Sequence, residues 1–360
     1  MKHFIVGPVE MYPSTKNVLE KGYTYFRTEE YGSLTKKCLN KLSEMLGNSL
    51  ENSLIYLAAS GTGAMEAVVD NCMLKTDRAL VINGGTFGHR FEELLNWYNI
   101  PCESINLAWD EVVNVQHLEP YKNKGFNTLF VNLDETSSGK LYDIKLLSDF
   151  CKENNMYLIV DAISTFLADD YNIDKYGIDV TILSSQKGLC LSAGMSFISF
   201  SKRMKERIIS NPNSSSFYFN FKDYFKNIER GQTPFTPPVS TMYELNEILD
   251  LIEIAGGKDA WIKDVERKAN YFREQATKLG LVIPTYPKSN TLTPIYFEDV
   301  DASLIVKMLR ENYQIFINPC GGSLATKLLR VAHIGNTTFA DIDELLEKMM
   351  LVMNEIKIKV

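Results

Sequence analysis

The chain has 360 residues, of which 45% are hydrophobic and 23% are charged, a composition typical of a soluble globular protein. This length can bury a large core and favours about two domains. The formal net charge of −7 disfavours nucleic acid and anionic membrane surfaces as partners.

Cysteine usage and the first residues indicate a cytoplasmic protein. The amino-terminal stretch MKHFIVGPVEMYPS has no apolar run long enough for a signal peptide. No segment reaches the roughly 18 apolar residues of a membrane-spanning helix. The six cysteines lack the close spacing of metal-ligand or redox pairs, so no metal site is predicted and reduced thiols are expected: Cys38, Cys72, Cys102, Cys151, Cys190 and Cys320.

The first predicted elements are a short apolar run that ends at Gly7-Pro8 and, further on, a long helix. Ser33 is the expected N-cap of this helix, because apolar residues then recur at helical spacing over residues 34–46. Gly47 marks its expected end.

Residues 54–69 predict a strand, a glycine-containing turn and the start of a helix. The turn Ser60-Gly61-Thr62-Gly63 places free backbone N–H groups and two hydroxyls at the helix N-terminus. Such a terminus is a favourable site for a phosphate, because the unpaired donors and the helix dipole both attract anions. The turn lacks the longer GxGxxG pattern, which disfavours a nicotinamide cofactor.

Strands and helices continue to alternate beyond this turn. Residues 78–83 predict a strand, and a glycine-flanked Phe87 leads into a helix expected over residues 89–98. A strand over residues 128–133 is followed by an acidic, hydroxyl-rich turn and a helix over residues 144–154. The alternation predicts the α/β class, with a mainly parallel sheet covered by helices on both faces.

The stretch from Leu158 to Gly188 places two charged side chains at the ends of predicted strands: one strand ends at Asp161, and another leads into Lys187. Ligands of open α/β sheets bind beyond the carboxyl ends of the strands, where a carboxylate and an amine suit pyridoxal phosphate (PLP). Lys187 would form a Schiff base with the aldehyde, and Asp161 would keep the pyridine nitrogen protonated. Two strand-end charges in ordinary loops are the alternative reading.

The last third of the chain changes character twice. Residues 211–236 replace the strand–helix rhythm with polar turn residues, aromatics and prolines. Gly256-Gly257 then separates two predicted helices and marks the break to a second, smaller α/β unit. The predicted domains are a large one over residues 15–255 and a small one formed by residues 1–14 and 256–360.

The motifs VDAISTF, SSQKG and LRVAHIG, in this order, resemble those of the class V aminotransferases of PLP fold type I. This group includes alanine–glyoxylate, serine–glyoxylate and 2-aminoethylphosphonate–pyruvate transaminases. The resemblance covers nearly the whole chain, from Gly7 to the region of Arg330. It implies a large domain with a seven-stranded type of sheet, a smaller carboxyl-terminal domain, and a homodimer with shared active sites.

The resemblance also implies roles for individual residues. Phe87 and Ile163 would pack on opposite faces of the cofactor ring, and Thr136 would hydrogen-bond on the side of its phenolic oxygen. Thr236 would reach the phosphate in the neighbouring subunit, although relatives usually carry an aromatic residue where this chain has Thr233. The cofactor-binding residues so implied are Ser60, Gly61, Thr62, Phe87, Thr136, Asp161, Ile163, Gln186, Lys187 and Thr236.

Two residues are implied on the substrate side. Arg330 matches an arginine that binds the substrate α-carboxylate, for which the planar guanidinium is suited because its donors match both oxygens. Gly7 opens a segment near the substrate. Six aromatic residues would lie at the subunit interface or line the site, and the surrounding charge is not basic enough for a nucleic-acid platform: Phe217, Tyr218, Phe219, Phe221, Tyr224 and Phe225.

The resemblance thus implies a PLP-dependent aminotransferase that moves an amino group from alanine, serine or 2-aminoethylphosphonate to pyruvate or glyoxylate. The alternatives are a lyase or desulfurase of the same fold and a non-catalytic PLP-binding protein. A desulfurase needs a cysteine on a mobile loop, and Cys320 is the only one near the Arg330 motif. A phosphonate substrate needs extra cations, for which Arg27 and Arg90 are the candidates.

Overall fold

A computed structural model describes residues 1–48, 53–212 and 214–359. The strands are β1 (Lys2–Phe4), β2 (Ser53–Leu57), β3 (Ala79–Asn83), β4 (Cys102–Asn106), β5 (Thr128–Asn132), β6 (Asp134–Glu135), β7 (Lys140–Leu141), β8 (Tyr157–Asp161), β9 (Val180–Ser184), β10 (Ser196–Phe200), β11 (Leu292–Tyr296), β12 (Ile315–Pro319) and β13 (Leu328–Ala332). The α-helices are α1 (Pro13–Lys16), α2 (Glu29–Leu46), α3 (Gly61–Cys72), α4 (Thr86–Trp97), α5 (Val115–Leu118), α6 (Ile144–Glu153), α7 (Ile173–Tyr176), α8 (Lys202–Ser210), α9 (Phe221–Ile228), α10 (Val239–Ile254), α11 (Lys258–Lys278), α12 (Ala302–Tyr313) and α13 (Phe339–Lys359).

The larger sheet has seven strands in the order β2-β10-β9-β8-β5-β3-β4. Strand β10 runs antiparallel to both of its neighbours, and the remaining pairs are parallel. The predicted α/β class and mainly parallel sheet are confirmed. Because consecutive parallel strands run in the same direction, their carboxyl ends meet along one edge.

Helices cover both faces of this sheet. In β8, Leu158 and Val160 belong to one apolar cluster and Ile159 to the other, and all three are fully buried. A strand buried on both faces has a continuous apolar sequence rather than an alternating one, as LIV does here. No helix in the described ranges is long and apolar enough to cross a membrane.

The second sheet has the order β1-β12-β13-β11 and packs against α12 and α13. The first strand of the chain pairs in parallel with β12, with Lys2 opposite Ile315. The amino-terminal segment and residues 292–332 therefore share one sheet. The domain boundaries given above stay a prediction.

The start of α2 corrects the predicted N-cap. Thr28, not Ser33, caps the helix, and its hydroxyl accepts the backbone N–H of Tyr31 at 3.3 Å. Two glutamates follow in the first turn, where the helix dipole favours them, and the buried face already begins at Tyr31. The predicted end at Gly47 is confirmed, with a left-handed φ of 63°.

The region 211–236 was expected to be a loop, but it contains the eight-residue helix α9. Three of its aromatics, Phe221, Tyr224 and Phe225, are buried in the core of the same chain. Their interpretation as interface or site-lining residues is therefore wrong. Their spacing of three and four places them on one helical face, which packs against the sheet.

Candidate active site

The turn after β2, residues 60–63, leads into α3 as predicted, and we call it the cradle because it is the predicted phosphate site. Ser60 is the N-cap of α3, and its hydroxyl accepts the N–H of Gly63 at 3.2 Å. The first N–H groups of a helix have no acceptor within the helix, so Gly61 and Thr62 present free donors here. A side chain at Gly61 would collide with Ile163, since its Cβ would lie 2.5 Å from Cδ1 of that residue. The glycine thus brings the cradle close to the segment after β8.

Asp161 ends β8 and lies deep in the sheet edge, with 3% of its surface exposed. Its carboxylate accepts the backbone N–H of Ile163 at 2.9 Å and the side-chain amide of Asn132 at 3.0 Å. Burial raises the pKa of Asp161 to about 6, while the Ile163 N–H, Lys187 and Asn132 act in the opposite direction. The group is therefore mainly ionised at neutral pH.

Lys187 follows β9, the strand next to β8, and is 9% exposed. Its amine donates to the Ser164 hydroxyl at 3.0 Å and lies 5.4 Å from the ring centre of Phe87. Burial lowers the pKa of Lys187, and Asp161 and Asp134 partly oppose this effect. A lowered pKa increases the fraction of neutral amine, which is the nucleophilic form of lysine.

Phe87 lies in the first turn of α4, which begins three residues before the predicted helix start at residue 89. The helix begins earlier because of Glu135, a buried residue on strand β6. Its carboxylate accepts the backbone N–H groups of Phe87 at 3.3 Å and Gly88 at 2.9 Å. The helix is capped by a side chain 48 residues away, which local sequence does not reveal.

Thr136 connects the cavity with Arg330. Its hydroxyl is buried without a hydrogen-bond partner, while its carbonyl accepts from Arg330 Nη1 at 2.5 Å. Arg330 Nη2 donates to the carbonyl of Pro319, and Nε is buried without a partner. The guanidinium is thus fixed in place while several of its N–H donors stay available.

These segments enclose a cavity with about 460 Å³ of empty space, including its open mouth. Nine of the ten predicted cofactor-binding residues line it: Ser60, Gly61, Thr62, Phe87, Thr136, Asp161, Ile163, Gln186 and Lys187. Thr236, the tenth, is exposed on the surface and does not line it. Arg330 is not part of the lining either, but it contacts Thr136, which is.

Gly7 lies directly behind the lysine. A Cβ at this position would be 3.1 Å from Cγ of Lys187 and 3.3 Å from the carbonyl oxygen of Gln186, and its φ is +145°. A larger residue would therefore be strained and would press on the lysine stem. The structure places Gly7 against Lys187, and its predicted contact with substrate stays a proposal.

Four residues of the lining were not among the predicted cofactor-binding residues: Met65, Arg90, Asn132 and Ser164. Asn132 ends β5 directly opposite Asp161 in the parallel pairing. The end of a second apolar strand is the signal that could have revealed it. Ser164 lies three residues after Asp161, inside the VDAISTF motif. The sequence therefore places it near the site, but it does not show the hydrogen bond with Lys187.

A model of the family described as aminotransferase class-V matches residues 12–345. The chain belongs to this family. It is 28% identical to an uncharacterized aminotransferase of Methanocaldococcus jannaschii, over 92% of this chain and 87% of that one. It is 26% identical to the serine–glyoxylate aminotransferase of Arabidopsis thaliana, over 92% and 85%. The predicted family and enzyme class, a PLP-dependent transaminase, are confirmed.

A solved structure agrees with the class-V fold. Alanine–glyoxylate aminotransferase from Nostoc sp. superposes with a TM-score of 0.92 at 24% identity, covering 98% of this chain and 94% of that one. At this identity the match shows the fold, which is the predicted PLP fold type I. It does not transfer the substrates of that enzyme.

The residues of the cavity fit PLP on three structural grounds. The α3 N-terminus offers free N–H groups for a phosphate. The buried Thr136 hydroxyl lacks a partner, as expected for a donor to a ligand oxygen. Asp161 supplies a buried carboxylate, which is suited to a cationic ring nitrogen.

Cys320, the cysteine that the desulfurase alternative would need, is not an activated thiol. Cys320 donates its S–H to the carbonyl of Ser137 at 3.2 Å, and burial raises the pKa of its thiol. A protonated thiol is a poor nucleophile, which disfavours a desulfurase. No group of three potential metal-ligating side chains occurs in the described part of the chain.

Proposed function

We propose that this class-V aminotransferase uses PLP to move an amino group from alanine, serine or 2-aminoethylphosphonate to pyruvate or glyoxylate. The observation that carries the proposal is the position of Lys187. Its buried amine lies between the Ser164 hydroxyl and the Phe87 ring, in a cavity that also contains the Asp161 carboxylate. An amine that can bond to the cofactor, a carboxylate for the ring nitrogen and an aromatic ring to stack on the cofactor are the groups that a PLP-dependent transaminase needs.

PLP, when bound, supplies an electron sink that stabilises negative charge on the substrate α-carbon. Asp161 would hold a proton on the ring nitrogen, because its carboxylate is mainly ionised at neutral pH. Lys187 would hold the cofactor through its amine. Once free, the same amine is the base placed to move a proton from the substrate α-carbon, and its lowered pKa favours that role.

Arg330 is the proposed ligand of the substrate α-carboxylate. The carbonyls of Thr136 and Pro319 fix the orientation of its guanidinium. A fixed planar fork loses little conformational entropy when it binds a carboxylate through two parallel hydrogen bonds. Since Thr136 also lines the cavity, Arg330 is connected to the edge of the site where a substrate would enter.

The proposed substrates are small. The names of two proteins similar to this chain, a serine–glyoxylate and an alanine–glyoxylate aminotransferase, support glyoxylate as acceptor and a small amino donor. A phosphonate donor has less support. Arg27, a candidate cation for the phosphonate group, donates instead to the backbone carbonyls of Thr233 and Pro234.

We also propose that the enzyme is a homodimer with shared active sites. Phe217 is 82% exposed and contacts Phe235, whose ring stacks on Tyr218. The next residue, Phe219, borders the cradle, with its ring 3.6 Å from where a Cβ of Gly63 would lie. An exposed aromatic cluster beside an active site is suited to a second copy of the chain, to which Thr236 would be presented.

The test is the visible absorbance of the purified protein after incubation with PLP, followed by each amino donor without an acceptor. We expect a band of lysine-bound PLP that disappears with one donor and returns with one 2-oxo acid. Lys187→Ala should abolish the band. Lys140→Met is the matched control, since Lys140 is also buried and burial lowers its pKa to about 8, yet it contacts the carbonyls of Ala108 and Glu111 instead.

Two results would contradict the proposal. A wild-type protein that stays colourless with added PLP would remove the cofactor assignment. A band that persists in Lys187→Ala but disappears in Lys140→Met would place the cofactor elsewhere.

A further inference from the structure

Arg90 brings a cation to the anion cradle from a different helix. It lies on α4, one turn after Phe87, and lines the same cavity. Its Nη1 donates to the Thr62 hydroxyl at 3.0 Å, and its guanidinium carbon lies 5.2 Å from the centre of the Phe87 ring. Arg90 therefore contacts both a residue of the cradle and the residue proposed to stack on the cofactor.

The guanidinium of Arg90 has N–H donors left for a ligand. Arginine has five N–H donors, and the contact with Thr62 is its one hydrogen bond to the residues that the structure describes. Within those residues no carboxylate forms a salt bridge with it. A partly buried cation without a counter-charge, next to free helix N–H groups, is a strong attractor for an anion.

The same cavity contains independent signs of a bound ligand. The Thr136 hydroxyl, 1% exposed as a residue, has no hydrogen-bond partner, and neither has the buried side-chain oxygen of Asn132. Both residues line the cavity together with Arg90. Buried polar atoms without partners are rare in folded proteins, so their occurrence here indicates that a polar ligand completes the site.

We propose that Arg90 binds the cofactor phosphate directly, as the charged member of an otherwise neutral cradle. This inference rests on the proposed function. Ser60, Thr62 and the α3 N–H groups offer only neutral donors, whereas a guanidinium matches phosphate oxygens with two parallel, charge-assisted hydrogen bonds. Thr62, already bonded to Arg90, sets the guanidinium at the phosphate end of the cavity.

The experiment compares two ligands that differ only in the phosphate. Apoprotein would be titrated with PLP and, separately, with pyridoxal, and each dissociation constant read from the visible band. Arg90→Gln should weaken PLP binding by roughly tenfold to a hundredfold, the size of one lost hydrogen bond to a charged group. Pyridoxal binding should not change. Arg90→Lys, which keeps the charge but loses the fork, should fall between wild type and Arg90→Gln.

Arg310→Gln is the matched control, because it removes a positive charge from an exposed arginine on α12 that pairs with Glu311. It should change neither dissociation constant. Thermal melting of each apoprotein would confirm that the variants are folded.

Three outcomes would overturn the inference. Equal losses for PLP and pyridoxal would mean that Arg90 only supports Phe87 or the cradle. Unchanged binding of PLP and of pyridoxal would show that Arg90 does not contact the cofactor. Unchanged PLP binding with a selective loss of reactivity towards 2-aminoethylphosphonate, relative to alanine, would assign Arg90 to a substrate anion. If wild type bound neither PLP nor pyridoxal, the proposed function itself would fail, which is a different result.

Discussion

Asp161 illustrates how one buried side chain couples the site to pH. Burial raises its pKa to about 6, and hydrogen bonds from the Ile163 N–H and Asn132 keep the pKa from rising further. Above this value the group is a carboxylate, and it can hold a proton on the ring nitrogen of PLP. Below it, the carboxyl is neutral and that interaction is lost.

We therefore expect the affinity for PLP to fall as the pH drops through about 6, approaching roughly tenfold per pH unit on the acid side. Spectroscopic titration of apoprotein at a series of pH values measures this. The phosphate and the ring of PLP also titrate, so Asp161→Asn is the reference, because it keeps the shape of the side chain without its charge. The profile of wild type minus that of the variant should show the fall, and parallel profiles would contradict the role of Asp161.

The sequence predicted most of the individual residues that line the cavity, and the residues that it missed share a physical cause. Asp161 and Lys187 were predicted because strand ends can be located from apolar runs alone. Asn132 and Ser164 were missed because their roles depend on which strands are neighbours and how side chains meet across them. Arg90 was named only as a candidate cation for a phosphonate substrate, since nothing in its local sequence shows that it reaches Thr62.

At the scale of elements, the start of α4 depends on a long-range contact. Glu135 is fully buried and accepts four hydrogen bonds, from the N–H groups of Phe87, Gly88 and Ser137 and from the Ser137 hydroxyl. A negative charge at a helix N-terminus is stabilised by the helix dipole. The same cap fixes the position of Phe87 in the cavity.

Glu135→Gln should lower both the stability of the fold and the order of the site. The amide directs N–H groups at the donors of the helix, so we expect a loss of about 1–3 kcal/mol in the free energy of unfolding. Urea unfolding of the apoprotein measures the first effect, and weaker circular dichroism of bound PLP reports the displaced Phe87. Glu103→Gln is the control, since Glu103 is exposed and pairs with Arg78 at the surface. Equal stability of the two variants would show that the cap contributes nothing.

The helices and strands were predicted better than the residues at which they begin and end. The apolar runs and helical spacings gave the strands and helices around the site, because these patterns are local. The starts of α2 and α4 differed from the predicted ones, since Thr28 caps the first helix and Glu135, on strand β6, caps the second. Helix α9 was missed because the prolines and polar residues that flank it are typical of loops.

At the scale of the whole molecule, the chain joins residues that are far apart in sequence. Arg330, on the small sheet, donates to the carbonyl of Thr136 across 194 residues, and β1 completes the small sheet from the other end of the chain. Only the resemblance to the aminotransferases pointed to Arg330, because no local pattern places a strand arginine beside a distant turn. Thr236 does not line the cavity of its own chain. Its predicted contact with the cofactor phosphate therefore requires a second copy of the chain.

The exposed aromatic cluster around Phe217 gives the last prediction. Replacing Phe217 and Tyr218 together by aspartate would place two charges in an apolar contact, where desolvation without a partner is costly. We expect the wild type to sediment as a dimer and the double variant as a monomer that retains less PLP, because Thr236 of the second copy would no longer reach the phosphate. Trp97→Asp is the control, since this residue is 80% exposed at the far end of α4. A monomeric wild type with full PLP content would show that the cavity is complete within one chain.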